Sequence, residues 1–274
     1  MIASRSERTL TYVVALAFAV AALAPLVGVL LAALHPPGSI LGGLSLPTTL
    51  SLETFGAAWE RGGFTTLMTA SVIVSTAVVA ITTLAAIPAG YAFGVIRFPF
   101  ADVLFYVLIA GIIIPFEAVI IPLYYAFRDL GLTNTYWALI LPQAGIQVCF
   151  GTFWMRAFFR AAPTEIVEAA RIDGATTWQV LWRILVPIGR PAIFTLIVLV
   201  FTWSWNDFLL ALVMISDDAH RTAPLGLSVF KSRYGLDIPE VSAAAILVAL
   251  PILLIYIVAQ RQFIRGVLSG SIKA

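Results

Sequence analysis

Carboxylates and amides stand inside segments of this chain that are otherwise apolar. Glu117 and Asp207 are the ionisable residues in the interiors of long hydrophobic runs, and Gln143 and Gln147 lie one helical turn apart in another run. Ionisable side chains are costly inside a membrane and mark functional sites there. They can hydrogen-bond to a polar solute, whereas catalysis would need a nucleophile beside a base, and the sequence shows no such arrangement.

The rise of an α-helix predicts that these polar groups share one layer. At about 1.5 Å per residue, they lie between about 10 and about 16 Å inside the outer ends of their runs. Trp203 adds an aromatic face, and binding of a sugar needs both hydrogen-bond partners and aromatic surface. Hydrogen bonds between helices, or contact with a second subunit, explain the same residues equally well. The predicted pathway residues are Glu117, Gln143, Gln147, Trp203, Asn206 and Asp207.

The composition places these residues in an integral membrane protein. The 274 residues are 61% hydrophobic and 11% charged, with a mean hydropathy of +1.01, well beyond the roughly half-apolar, quarter-charged average of soluble domains. Six runs approach or exceed the roughly 20 residues that a membrane-spanning helix needs. We predict an all-α membrane protein with six transmembrane helices in one domain, 1–274. Their approximate bounds are 10–34, 66–96, 103–127, 136–159, 191–216 and 241–259.

The basic residues predict the orientation of the spans. If the N-terminus is cytoplasmic, five of the 16 lysines and arginines lie outside and the other 11 lie in cytoplasmic segments. The five are Arg61, Arg128, Arg221, Lys231 and Arg233. Because this bias usually sets orientation, both termini are predicted to be cytoplasmic. The first run is too long for a typical signal peptide and is interpreted as a retained helix, although small residues at 19–24 leave cleavage open.

A polar segment, 160–190, interrupts the apolar pattern between the fourth and fifth spans. Pro163 and Thr164 can start a helix there. Asp173 and Gly174 can end it, because Gly readily adopts the left-handed conformation of a helix C-terminus. On the predicted orientation this segment faces the cytoplasm.

A second helix is predicted directly after this turn. Thr176 and Gln179 have the spacing of a capping box, and apolar residues then recur at i, i+3, i+4 and i+7, as in an amphipathic helix. These apolar residues are Trp178, Leu181, Trp182 and Leu185. Such a rigid helix pair can present a fixed surface to a partner, or it can lie on lipid headgroups.

The spacing of this segment resembles a known signature. Glu168-Ala169-Ala170, then Gly174, then Ile184-Leu185-Val186-Pro187, is similar to the EAA signature of permease subunits of ATP-binding cassette (ABC) importers. That signature reads EAA, three residues, Gly, nine residues and Ile-x-Leu-Pro. This chain keeps the spacing and differs slightly only in the last four residues, which read Ile-Leu-Val-Pro. Trp205-Asn206-Asp207-Phe208 and the end of the chain, 265–273, resemble the carbohydrate-uptake branch, the maltose-type and glycerol-phosphate-type permeases. The similarity covers most of 64–273.

The resemblance implies a fold, a set of partners and residue roles. It implies the ABC importer type I permease fold with a cytoplasmic coupling helix. The implied partners are a second, similar permease, two ATP-binding ATPase subunits and an extracytoplasmic solute-binding protein. Glu168 would pair with the ATPase, Ala169 and Ala170 would permit its close approach, and Gly174 would make the turn. The predicted coupling residues are Glu168, Ala169, Ala170, Asp173, Gly174 and Pro187.

Two further segments bear on this resemblance. Asp217 to Glu240 is polar and would face the solute-binding protein, although a plain connecting loop explains it too. Ala70-Ser71 stands where the carbohydrate branch often has Asn-Ser, which puts a polar contact at that position in doubt.

We predict a permease subunit without catalytic activity, in a bacterial or archaeal cell membrane, that carries a sugar or related polar solute. The sequence contains no G-x-x-x-x-G-K-[ST] phosphate loop, so ATP and Mg²⁺ would be bound by the partner ATPase. No cofactor or metal is predicted on this chain. The main alternative is a secondary transporter with Glu117 and Asp207 as ion sites, although no repeat relates the two halves. A membrane enzyme or scaffold is the third possibility.

Overall fold

A computed structural model describes residues 5–41, 45–234 and 237–271 of the chain, with side chains for 9–41, 45–228 and 237–260. Every regular element in these ranges is a helix. In chain order they are α1 Arg5–Ala33, α2 Glu53–Gly62, α3 Phe64–Val95, α4 Ala101–Ile113, α5 Phe116–Asp129, α6 Tyr136–Ala161, α7 Thr164–Ile172, α8 Thr177–Ile188, α9 Arg190–Trp205, α10 Leu209–Met214, α11 Ala223–Tyr234 and α12 Ile238–Ser271.

Four of these helices contain segments long and apolar enough to cross a membrane unbroken. They are Thr9–Ala33, Phe64–Val95, Tyr136–Ala161 and Ile238–Gln260. Two further pairs, α4 with α5 and α8 with α9, pass the same test together but are bent by 92° and 77°. The predicted all-helical membrane fold is therefore confirmed. The number of spans rises to six only if each bent pair is one span, and the α8–α9 pair then includes Thr177–Ile188, which the sequence analysis placed in the polar segment 160–190.

The bend between α4 and α5 follows from Pro115. Proline lacks the amide donor of a helix and disfavours helical conformation in the residue before it. Ile114 is accordingly extended, with ψ of 120°, and Pro115 caps α5 with the same ψ. In contrast, Pro88 and Pro142 lie inside α3 and α6 without ending them. Proline therefore ends a helix at Pro115 but not at Pro88 or Pro142.

The described chain forms two compact units. One unit contains Met1–Thr65 and Gly226–Leu250. Within it, Arg61 forms an ion pair with the buried carboxylate of Glu240 at 2.9 Å, and the Gly38 amide donates to Asp237 at 2.8 Å. These polar contacts tie the connection before α3 to the start of α12.

The other unit contains Thr66–Leu225 and Pro251–Ala274, and its core is centred on α3, α6 and α9. Small residues let α3 and α6 cross closely. A β-carbon built on Gly90 would lie 2.5 Å from Met155 Cβ and 2.9 Å from the amide nitrogen of Arg156, and one on Gly151 would lie 2.8 Å from Ala86 Cβ. Close backbone approach over small residues is the usual way in which membrane helices associate.

Candidate functional sites

Helix α7 presents one face to the protein and one face away from it. Val167 and Ala170 are buried and belong to the same core cluster as Leu181 and Leu185 of α8. Glu168 and Ala169 are exposed. The predicted signature therefore divides between two surfaces: Ala170 packs inside this chain, whereas Glu168 and Ala169 are available to a partner.

The turn after α7 has the conformation expected for a glycine C-terminus. Gly174 has a φ of +82°, a region that residues with a β-carbon rarely occupy. The Gly174 amide donates to Arg171 O at 3.1 Å, and the Ala175 amide donates to Ala170 O at 2.9 Å. Asp173 is exposed just before the turn. These bonds satisfy the last carbonyls of α7 and fix where α8 begins.

Helix α8 starts with the predicted capping box. The Gln179 amide donates to Thr176 Oγ1 at 3.3 Å, and the Thr176 amide donates to Gln179 Oε1 at 2.8 Å. The predicted apolar stripe is only partly buried, because Leu181 is 1% exposed whereas Trp178 is 64% exposed. A π-helical segment, Val180–Leu185, follows the first turn and changes the register of the later side chains.

The junction of α8 and α9 is a tight contact at Gly189. A β-carbon built there would lie 2.7 Å from the Phe158 ring and 3.0 Å from Leu185 O. Pro187 lies two residues earlier in α8 and is exposed. The 77° bend therefore lies at Gly189, which sequence reasoning did not single out.

Gln143 lies in a contact between helices. Its side chain is buried, and Gln143 Oε1 accepts a hydrogen bond from Ser204 Oγ at 2.6 Å, which joins α6 to α9. Gln147, one turn further along α6, is half-buried, and its side-chain amide has no hydrogen-bond partner within the part of the chain that the structure describes. The two amides therefore occupy different environments.

Asn206 and Asp207 lie in a break between α9 and α10. Asn206 is exposed, and its side-chain amide donates to Thr202 O at 2.9 Å. Asp207 Oδ1 accepts from the Ala211 amide at 3.4 Å, at the start of α10. Trp203, 44% exposed, packs edge-on against Phe150 with ring centroids 4.8 Å apart.

Glu117 occupies the first turn of α5, directly after the 92° bend, and is exposed. The depth derived for it from the sequence assumed one straight helix from 103 to 127, and that assumption is wrong. Pro115 redirects the chain, so the distance to Phe127 no longer measures depth. The same correction applies to Asp207, because its span is interrupted after Trp205.

Asn134 is a positioning residue that sequence reasoning missed. It has a φ of +59°, and its Oδ1 accepts hydrogen bonds from the Ser216 amide at 2.7 Å and the Ser216 hydroxyl at 3.0 Å. The backbone amide of Asn134 donates to Met214 O at 3.1 Å. An asparagine between two threonines in a short connection was the available signal, since Asn tolerates the left-handed region.

Ser71 has a structural partner at the position where the carbohydrate branch often carries Asn-Ser. Its hydroxyl oxygen accepts from the Ala223 amide at 2.8 Å and so caps α11. Ser75, one turn later, donates to Ser71 O at 2.7 Å. Both hydroxyls are thus used within the chain.

The connection after α10 is held by local ion pairs. Asp217 accepts from the amide and the ring of His220, and Arg221 pairs with Asp218. Burial alone would raise the pKa of Asp217, but the hydrogen bonds and the charge of His220 together hold that pKa below its usual value. Tyr136 packs edge-on against the His220 ring at 4.8 Å.

The fold defines a class of protein. It superposes with a TM-score of 0.81 on a chain of the crystal structure of a bacterial ABC transporter involved in the import of the acidic polysaccharide alginate, over 96% of this chain and 99% of that chain, at 22% sequence identity. The chain thus has the fold of that ABC transporter chain, as predicted.

The sequence places the chain in a family. Residues 86–268 match the binding-protein-dependent transport system inner membrane component family, and the chain belongs to it. The arabinooligosaccharides transport system permease protein of Halalkalibacterium halodurans is 32% identical over 254 residues, 91% of this chain and 90% of that protein. The lactose transport system permease protein of Rhizobium radiobacter is 35% identical over 194 residues, 71% of this chain and 70% of that protein. The predicted permease class is therefore confirmed.

Proposed function

We propose that this permease translocates an oligosaccharide or a related polar solute, delivered by an extracytoplasmic binding protein and driven by separate ATPase subunits. The observation that carries the proposal is the folded EAA element, which exposes Glu168 on a helix whose other face is fixed in the core. The relatives named above are described as permeases for arabinooligosaccharides and lactose, which supports a carbohydrate.

In the proposed orientation both termini and the α7–α8 element are cytoplasmic, and the connection after α10 is extracytoplasmic. The count of 11 basic residues against five supports this orientation. The exposed face of α7 then meets the ATPase, and residues 217–240 meet the binding protein. A second, similar permease completes the pathway.

Coupling proceeds through a continuous mechanical connection. The exposed face of α7 receives the movement of the ATPase, and the shared core of Val167, Ala170 and Leu181 passes it to α8. The Gly189 amide donates to Leu185 O of α8 at 2.8 Å, and Gly189 O accepts from the Ile193 amide of α9 at 2.9 Å, so α8 and α9 move together. Helix α9 ends at Trp205, so the displacement reaches Asn206 and Asp207. Rigid elements joined in this way convert a small shift into tilting of a span.

The solute pathway uses the polar residues that the helices leave accessible. Glu117 and Asn206 are exposed, and Trp203 offers an aromatic face beside Phe150. Gln143 instead holds α6 to α9 through Ser204. We assign Glu117, Gln147, Trp203, Asn206 and Asp207 to the solute or the second permease, and Gln143 to positioning.

Charge reversal at Glu168 tests the proposal. The complex is purified in gentle detergent from its native membrane, its subunits are identified by mass spectrometry, and it is reconstituted in liposomes with labelled oligosaccharides. Glu168→Lys is expected to abolish ATP-driven uptake without reducing membrane insertion. Glu60→Lys is the matched control and is expected to leave uptake unchanged, since Glu60 is exposed on α2, outside the α7–α8 element.

Two results would overturn the proposal. Full uptake by Glu168→Lys would remove the coupling role of α7. Purification without an ATPase, together with uptake that follows a proton gradient instead of ATP, would assign the chain to ion-coupled transport.

A further inference from the structure

A basic cavity lies where α3 and α6 end, next to the start of α4 and α7. It has a volume of about 840 Å³, within the range of small-molecule sites. Four arginines and two carboxylates line it, an excess of two positive charges. The charged residues are Arg97, Asp102, Arg156, Arg160, Glu168 and Arg171.

Arg156 forms the fixed wall of this cavity. Its side chain is 18% exposed, its Nε donates to Phe93 O at 3.1 Å, and its guanidinium stacks 3.8 Å from the Phe105 ring centroid. Asp102 lies 3.6 Å from its Nη2 and is itself exposed. Arg156 is therefore held in place by three contacts, and Asp102 offsets its charge only partly.

The other three arginines supply unused positive charge. In the ranges that the structure describes, no acceptor pairs with Arg97, Arg160 or Arg171, and all three are exposed. The start of α4 adds to this potential: Phe100, before its first residue, has a φ of +62° and provides no side-chain cap. Uncapped amides at a helix N-terminus attract an anion.

An apolar surface continues from the cavity along α4. Tyr106 and Ile113 follow Asp102 at i+4 and i+11, on the same side of α4, and are 70% and 76% exposed. The cavity thus lies at the end of membrane helices, with charge at its centre and apolar side chains leading from it into the span. That combination fits a lipid better than a free anion, which has no use for the apolar surface.

We propose that this cavity binds the phosphodiester headgroup of an anionic membrane lipid, with the acyl chains along α4. Arg97 and Arg160 provide the main attraction, and Arg156 fixes the site. Arg171 belongs to α7, so a bound headgroup also braces the coupling element against α3 and α6. Glu168, which is assigned to the ATPase, also lines the cavity, whereas Ala169 on the same exposed face of α7 does not. The inference requires membrane insertion and is independent of the solute and of ATP.

Lipid titration of the purified complex tests the site. Binding of dioleoyl phosphatidylglycerol and dioleoyl phosphatidylcholine is measured by native mass spectrometry. Each basic residue near an anionic membrane surface contributes about 1 kcal/mol, or about fivefold in affinity. Arg97→Gln with Arg160→Gln is therefore expected to weaken phosphatidylglycerol binding about 25-fold and leave phosphatidylcholine unchanged.

Two matched variants separate charge from folding. Arg97→Lys with Arg160→Lys keeps the charge and is expected to retain most of the affinity. Arg183→Gln with Arg190→Gln removes two exposed arginines that do not line the cavity and is expected to leave the affinity unchanged.

Three outcomes would overturn the inference. In the first, phosphatidylglycerol binds the wild type and the double glutamine variant equally. In the second, millimolar inorganic phosphate displaces phosphatidylglycerol completely from the wild type, so that the site takes a free anion. In the third, the glutamine variant keeps its lipid but loses the ATPase, so that the arginines contact a protein.

Discussion

A methyl group added at Gly90 tests the close crossing of α3 and α6 on which the larger unit is built. The β-carbon of Gly90→Ala would lie 2.5 Å from Met155 Cβ and 2.9 Å from backbone atoms of Met155 and Arg156. Carbon atoms prefer a separation of about 3.5–4.0 Å. Because backbone atoms cannot rotate away, the two helices must separate by about 1 Å.

Two opposing effects set the size of the change. Replacing Gly by Ala inside a helix stabilises it by about 1 kcal/mol. Overpacking a tight contact costs about 1–3 kcal/mol. Gly90→Ala is therefore expected to change the free energy of unfolding by between about 0 and about −2 kcal/mol. Gly145→Ala places its added carbon in α6 with no neighbouring atom within 4 Å, and it is expected to raise the free energy of unfolding by about 1 kcal/mol.

The assay is unfolding of the purified chain by sodium dodecyl sulfate in mixed micelles, followed by far-ultraviolet circular dichroism. Gly90→Ala should be less stable than Gly145→Ala by about 1–3 kcal/mol, because the propensity gain is common to both. Equal stabilisation by the two substitutions would refute the close crossing.

Three further predictions concern the hydrogen bonds that place the candidate residues. Ser204→Ala should lower the free energy of unfolding by about 1–2 kcal/mol in the same assay, because Gln143 Oε1 loses its donor in a buried site. The double variant with Gln143→Leu should recover part of that loss. Asn134→Ala should lower the free energy of unfolding by about 1–3 kcal/mol, because it loses the hydrogen bonds from Ser216 and places a β-carbon residue at a positive φ. Asn134→Gly loses the same hydrogen bonds without that strain and should lower it less. Equal losses would show that the backbone conformation does not matter. Because the pKa of Asp217 is lower in the folded state than in the unfolded state, its carboxylate stabilises the fold at pH values above its unfolded pKa of about 3.9. This stabilisation is lost as the pH falls through the folded pKa. The thermal stability of Asp217→Asn should therefore fall short of wild type at pH 7, with a smaller difference at pH 3.5, and a constant difference would contradict this.

The coupling element shows how far local sequence reasoning reaches. The capping box of Thr176 and Gln179 and the turn at Gly174 are interactions among residues within a few positions of one another, so their spacing predicts them. The different environments of Ala169 and Ala170 were not predicted. They depend on which side of α7 meets α8, and a distant segment decides that.

The pathway residues show the opposite case. Gln143 and Gln147 are the same residue type one turn apart, yet Gln143 meets Ser204 on another helix and Gln147 does not. Glu117 and Asp207 lie beside breaks in their spans, so a count of residues along a straight helix misplaces both. Pro115 bends its span whereas Pro88 and Pro142 do not, although each of the three prolines lies within a long apolar run.

The sequence alone therefore determined the membrane class, the all-helical fold and the permease family, because hydropathy, helix length and short-range spacing are local properties. The tertiary structure alone decided where the spans bend, which amides pair and which face of α7 is free. Those features arise from packing between helices distant in the chain, such as the contact of Gly90 with Met155 and of Gly189 with Phe158. Close packing admits few arrangements, and no single segment contains the information that selects among them.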